Sequence, residues 1–309
     1  MLCIDPEGYF PMLARVTRRF VVITMTLWFV SGCTEQTDYP LLRESMDPEF
    51  KAMLKERVQA EFKETRQQLV KEGKVGIVIV DISDPHHPRV AEENGDLMLY
   101  AASLPKIAIL LGAYVAAERG DLVIDEELRA SMTRMIRNSS NKDATAVLKR
   151  VGFERLAEIL QSDPYRLYDL EHGGGLWVGR EYGGELWQAD PVNKITHGAS
   201  AMQVARFYYL LVTNRLVSPQ HTAEMLEILS KPAIKHKFVK GLNETNPDAT
   251  MYRKSGTWRN FHADSGIVDT EHGRYIVVVI GEHPEGAKDL VRFIQAVESA
   301  MQSDAAVTK

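Results

Sequence analysis

Cysteine is nearly absent from the chain. Its 309 residues contain two, Cys3 and Cys33, both near the amino end. Beyond Cys33 no thiol remains, which excludes a disulfide, a thiolate metal site and a cysteine nucleophile from the rest of the sequence. Long basic runs are also missing, and the formal net charge is -5, so the composition offers no nucleic-acid surface. The apolar run Phe20 to Val30 is too short to span a bilayer, which takes about 20 residues. Clustered metal ligands are scarce as well. His86 and His87 are adjacent, between Pro85 and Pro88, so their rings point in different directions and no third ligand lies nearby. No metal and no cofactor are expected. With 45% hydrophobic and 26% charged residues, the remainder is an ordinary globular composition, long enough for one large domain or two small ones.

What is present begins with an address. Arg15, Arg18 and Arg19 precede the apolar run, which closes on Ser31-Gly32-Cys33. A basic segment, a short apolar core and small residues describe a secretory signal over residues 1–32. Residues 1 to 11 are unusual for the start of a signal, and Met12 is a candidate initiator. The tetrapeptide Val30-Ser31-Gly32-Cys33 resembles a bacterial lipobox. The resemblance implies lipidation of Cys33 and a periplasm-facing protein of the cell envelope, held to a membrane by that lipid. Residues 33–47 read as a polar tether, and 48–309 as the folded domain.

Within that domain, Pro48 to Glu72 has the apolar spacing of one long amphipathic helix, stopped by Gly73. Val75 to Ile82 is a continuous apolar strand, of the kind buried on both faces. Ser83 to Pro88 is a turn, and Arg89 to Gly95 pairs back as a second strand. Helical segments follow at Ile107–Ala117, Glu126–Arg137, Ala144–Val151 and Phe153–Leu160, then at Ala199–Leu211 and His221–Leu229. Between them, residues 161 to 198 are irregular and glycine-rich, as functional loops are. The period then changes: Ala249–Gly256, His262–Val268 and Arg274–Ile280 read as three antiparallel strands, closed by a helix over Ala287–Met301. The expected fold is α+β, an α/β sandwich. One antiparallel sheet is made from both chain ends, flanked by amino- and carboxy-terminal helices, with an all-helical region inserted between.

The chemistry centres on Tyr100-Ala-Ala-Ser103-Leu-Pro-Lys106. Ser103 is a helix-start residue and Pro105 is tolerated only in a first turn, so Lys106 falls one turn after Ser103 on the same face. A serine hydroxyl needs a base to become a nucleophile. A lysine enclosed by apolar neighbours loses proton affinity and can be that base. The same spacing recurs at Ser139-Ser-Asn-Lys142, in a loop where Ser140, Asn141 or Asp143 caps the next helix. A third short motif, Lys254-Ser255-Gly256 followed by Thr257, ends the first carboxy-terminal strand.

Ser-x-x-Lys, Ser-x-Asn and Lys-Ser-Gly, in that order on helix, loop and strand, resemble the motif set of class A β-lactamases and penicillin-binding proteins. Arg119-Gly-Asp-Leu-Val-Ile-Asp125, Ser140 to Gly152 and Ser200-Ala-Met-Gln-Val-Ala205 look like segments of the same family. The resemblance implies that Ser103 is acylated and Lys106 takes its proton. It further implies that Ser139 relays a proton to the leaving nitrogen, and that Asn141 holds the substrate side chain. Lys254, with Ser255 or Thr257, meets the substrate carboxylate, and the N–H groups of Ser103 and Thr257 form the oxyanion hole. Two features depart from the pattern. Ser103 and Ser139 are 36 residues apart, a shorter interval than the family usually has. The deacylating Glu-x-x-Leu-Asn segment is missing; of Glu171, Glu181 and Glu185, Glu181 fits the spacing best. The expected activity is β-lactam hydrolysis by a monomer through a Ser103 acyl-enzyme. The competitors are a D-alanyl-D-alanine peptidase or esterase with slow deacylation, and a non-catalytic cell-wall-binding lipoprotein. The expected partner is a β-lactam or a molecule like a peptidoglycan stem peptide.

Overall fold

The structure is a computed structural model that describes residues 39–61 and 64–307, without the side chains of residues 59–66 and 307. The signal segment and Cys33 lie outside the described residues.

Where one amphipathic helix is expected, the described residues are helical as α1 (Pro48–Glu61) and α2 (Glu64–Lys71), and residues 62–63 between them lie outside the described residues. Then come β1 (Val75–Asp81), β2 (Arg89–Glu93) and the short β3 (Met98–Tyr100). The inserted region holds α3 (Lys106–Glu118), α4 (Glu126–Arg137), α5 (Asn141–Val151) and α6 (Phe153–Gln161). The irregular stretch contributes only fragments, β4 (Tyr168–Asp169), β5 (Gly174–Gly175), β6 (Trp177–Val178) and β7 (His197–Ser200). Three helices follow, α7 (Ala201–Val212), α8 (Pro219–Leu229) and α9 (Phe238–Thr245). The chain then closes with β8 (Thr250–Trp258), β9 (Phe261–Thr270), β10 (Gly273–Glu282) and α10 (Gly286–Val307).

The main sheet has the order β2-β1-β10-β9-β8. Strands from the two ends of the chain meet at its centre, where β1 pairs antiparallel with β10, Val78 opposite Val278. Side chains alternate along a strand, so a continuous apolar run requires cover on both faces. Val78, Val80, Ile276, Val278 and Ile280 join the core beneath α3 and α7. Their neighbours Ile79, Val277 and Val279 join a second core with Phe50 and Leu54 of α1 and Phe293, Ile294 and Val297 of α10. The expected architecture is therefore the observed one.

Local boundaries differ where caps decide them. Ser140 accepts from the Asp143 N–H, so α5 begins at Asn141 and not at Ala144. Ser200 caps α7, and Ala199 belongs to β7. Residues 39–47, expected to be tether, pack on the domain. Leu42 is buried, Val90 exchanges backbone hydrogen bonds with Ser45 and Asp47, and Tyr39 stacks on His86. Among the described residues no helix is long and apolar enough to cross a membrane.

Candidate active site

Ser103 is not the first residue of a helix. It sits in a tight turn before α3, whose first residue is Lys106 and whose amino-terminal cap position is Pro105. The turn is pinned on several sides. The Ala101 N–H donates to the His197 carbonyl on β7. Ala102 carries a φ of 52°, a strained value for a residue with a Cβ, and its carbonyl accepts from the Tyr182 hydroxyl at 3.3 Å. On the third side lies Gly256, where a Cβ would stand 2.0 Å from the Ala101 carbonyl oxygen and 3.0 Å from the Ser103 nitrogen. The glycine of the Lys-Ser-Gly triplet is thus what lets β8, an edge strand, close on the serine turn.

Lys106 leads a helix buried from its first residue to Ala116. Its amine lies 3.1 Å from Ser103 Oγ, 2.6 Å from the Ser139 carbonyl oxygen and 2.7 Å from Asn141 Oδ1. Burial lowers its pKa from 10.5 to about 7. A neutral amine has two N–H bonds and one lone pair. The two carbonyl-type oxygens take the two protons, and the lone pair is left facing the Ser103 hydroxyl.

Ser139 lies between the two amines. Its left-handed backbone, φ 56°, turns both its oxygens inward, the carbonyl to Lys106 and Oγ to Lys254 Nζ at 3.0 Å. The loop is held by the Ser140 cap and by Arg134, which pairs with Asp143 at 2.6 Å. Lys254 is buried and also donates to the Ser255 carbonyl at 2.7 Å. Burial, then proximity to the Lys106 amine and the Arg253 guanidinium, hold its amine well below the ordinary lysine range. Asn141 spends its side-chain oxygen on Lys106, while Lys142 is exposed.

Glu181 is not among the hydrogen-bond partners of Ser103 or Lys106. Its carboxylate pairs with Lys149 of α5 at 3.1 Å, and Glu171 pairs with Arg166 at 2.8 Å. Among the described residues no carboxylate lies within hydrogen-bonding distance of Ser103 Oγ or Lys106 Nζ. The residue the loop brings to the site is Tyr182. Its ring centroid is 4.4 Å from Lys106 Nζ and 4.3 Å from the His197 ring. Burial pushes its phenol well above the ordinary value and holds the His197 imidazole down at about 4, so both are neutral at neutral pH.

Two further residues escape sequence reasoning, His236 and Lys237, just before α9. His236 Nε2 lies 3.4 Å from Ser255 Oγ. Lys237 Nζ donates to the Gly256 carbonyl at 2.6 Å, Thr257 Oγ1 at 2.8 Å and the Ala263 carbonyl at 3.1 Å. No motif marks them; only the packing of their loop behind β8 does.

Ser103, Lys106, Ser139, Asn141 and Lys254 thus form one hydrogen-bonded set, with Ser255, Gly256 and Thr257 along its edge. A hydroxyl beside a neutral amine, with a second hydroxyl–amine pair adjoining it, can attack a carbonyl and return a proton to the departing atom.

Residues 53–134 and 127–302 match the family model described as "Beta-lactamase enzyme family". Among solved structures the chain is similar to PBP-A, with 16% identity and a TM-score of 0.62 over 82% of this chain and 96% of that one. A mutant of PBP-A, in acyl-enzyme complex with penicillin G, has 17% identity and a TM-score of 0.64 over 80% and 97%. A β-lactamase from Sphaerobacter thermophilus has 18% identity and a TM-score of 0.62 over 81% and 97%. At such identities the likeness is one of fold. No curated protein matches the chain.

Proposed function

Because the chain belongs to the Beta-lactamase enzyme family, whose members are serine hydrolases, we propose that it is an acyl-transfer enzyme of the penicillin-binding, peptidase-like kind. Ser103 takes the acyl group of a carboxylate-bearing amide, a β-lactam or a D-alanyl-D-alanine-like peptide, and releases it slowly. The observation that supports this reading is the pairing of Ser103 with a buried amine whose pKa burial lowers to about 7, while no described carboxylate lies within hydrogen-bonding distance of either group.

In the proposed course, Lys106 Nζ takes the Ser103 proton as Oγ bonds to the carbonyl carbon. Backbone N–H groups of Ser103 and Thr257 hold the oxyanion. The carbon–nitrogen bond then breaks as the Ser139 hydroxyl gives its proton to the nitrogen. Ser139 recovers a proton from the lysine pair, and Lys106 ends neutral. An ester between Ser103 and the acyl group remains. Its hydrolysis needs a base for water, and beside Lys106 the described residues offer the Tyr182 ring and no carboxylate within hydrogen-bonding distance. Sustained β-lactam hydrolysis, the first expectation from sequence, requires a base for water that the described residues do not place beside Ser103.

Purified protein mixed with a fluorescent penicillin should give a stoichiometric, Ser103-dependent label. With a chromogenic cephalosporin it should give a burst without sustained turnover. Continuous turnover of the cephalosporin would establish the lactamase instead, and failure of both probes to react would leave a binding module. Labelling should also report Tyr182. In Tyr182→Ala the Lys106 amine regains water, so its pKa rises toward 10.5 and the labelling midpoint moves above about pH 7. The ring's cation–π attraction acts in the opposite sense but is the weaker effect, at about 0.5–2 kcal/mol. A midpoint that stays put would show that Tyr182 does not set the amine's environment.

A further inference from the structure

His236 and Lys237 sit on a loop fixed from beneath by a buried ion pair. Arg253 donates to Asp264 through Nε and Nη2 at 2.8 and 2.7 Å, and neither residue is exposed. The same guanidinium donates to the carbonyls of Ile234 and His236 at 2.7 and 3.2 Å. Asp264 also accepts from the Phe238 N–H at 3.1 Å. Held at both ends, Lys237 adopts a φ of 51°, a conformation that costs energy for a residue with a Cβ. The cost has a visible return: the ammonium is delivered behind Gly256 and Thr257.

That ammonium is fully spent. Lys237 is 1% exposed, and its three N–H groups face three acceptors, two backbone carbonyls and Thr257 Oγ1. It has no proton left for a ligand. Its effect passes through Thr257 instead. A hydroxyl that accepts from an ammonium turns its own hydrogen away from it, and Thr257 is exposed, so the hydrogen is directed outward. Ser255, two residues earlier on the same side of β8, has the matching arrangement. His236 lies 3.4 Å from its Oγ, and in the tautomer that carries its hydrogen on Nε2 the neutral imidazole donates to that oxygen and frees the Ser255 hydrogen. Two adjacent residues behind the strand thereby serve two alternate hydroxyls on it.

We propose that His236 and Lys237 are positioning residues that fix Ser255 and Thr257 as paired hydrogen donors toward the carboxylate of the substrate. The inference rests on the acyl-transfer reading above and names the substrate group that this edge of the site selects. Two fixed donors suit a carboxylate, which only accepts, and refuse an ester, whose oxygens are poor acceptors. Positive charge acts in the same direction, since among the described residues the Lys237 ammonium hydrogen-bonds only neutral oxygens while Arg253 is matched by Asp264.

The test compares acylation by a penicillin with acylation by its methyl ester. Lys237→Met should lower the second-order rate for the free acid about tenfold, the value of one hydrogen bond to a charged group. It should leave the rate for the ester unchanged, and Lys237→Arg should restore most of the loss. Thr257→Val should cost as much as Lys237→Met, and the double substitution no more than either. Equal losses for acid and ester, or additive losses in the double variant, would overturn the proposal. Should the wild-type protein react with neither compound, the acyl-transfer reading falls and calorimetry with the ring-opened penicilloate decides this one alone. Binding by wild type that weakens in Lys237→Met would uphold it, and unchanged binding would refute it.

Discussion

Lys106→Met should all but abolish acylation of Ser103, slowing it by about a thousandfold, the middle of the range for loss of a positioned general base. Methionine keeps the volume and the apolar packing along α3, so the fold should survive and the loss can be read as chemical. Removing the amine takes away the only described group placed to accept the Ser103 proton. The pH profile should change as well. In the wild-type protein acylation should rise with pH through about 7, as Lys106 deprotonates, and the residual rate of the variant should lack that limb. Stability has its own signature. The native pKa of Lys106 lies below its unfolded value of 10.5, so between about pH 7 and 10.5 the unfolded chain binds more protons. Stability therefore rises with pH across that window. Lys237 and Lys254 are shifted in the same direction and add to the slope. Denaturant titrations of Lys106→Met should show a smaller rise than the wild-type protein, though not a flat line. A variant that acylates within tenfold of wild type would place the base elsewhere.

The legible part of this molecule is the part written in period and order. Val75 to Val80 and Tyr275 to Ile280 are continuous apolar runs because two cores cover the sheet, and that doubled burial is what the pattern encodes. Ser103, Lys106, Ser139, Asn141 and Lys254 could be collected from three short motifs because each has a spacing that local structure preserves. Boundaries were harder, since caps override periodicity. Ser140 begins α5 three residues before the apolar pattern does, and Ser103 precedes its helix where a capping residue was expected. Least legible was whatever depends on loops meeting across the fold. Glu181 and Tyr182 are neighbours in an irregular stretch, and nothing local tells which one faces the site. The outcome is set by Lys149 on α5, which draws the carboxylate away, and by His197 on β7, against which the phenol packs. His236 and Lys237 are polar residues in an unpatterned loop. Their place behind β8 is decided by Arg253, on β8 itself, and by Asp264, on the neighbouring β9.

Gly256→Ala should damage the site almost as much as removal of the base, and by a purely steric route. The added methyl would stand 2.0 Å from the Ala101 carbonyl oxygen and 3.0 Å from the nitrogens of Ser103 and Leu104. All three neighbours are backbone atoms in a turn pinned by His197 and Tyr182, so no flexible side chain can yield. Either β8 retreats from the serine or the turn rotates. Each motion spoils the relation of Ser103 to Thr257 and Lys254, and a displacement of about 1 Å is worth roughly a hundredfold in rate. Overpacking of this kind destabilises by about 1–3 kcal/mol, so melting should fall while the protein remains folded at ambient temperature. The loss should be the same for a penicillin and for its ester, because the whole geometry shifts. Lys237→Met, in contrast, should distinguish the two substrates by charge. Acylation by Gly256→Ala within a few-fold of the wild-type rate would mean that β8 does not close on the serine turn, and the constellation around Ser103 would have to be redrawn.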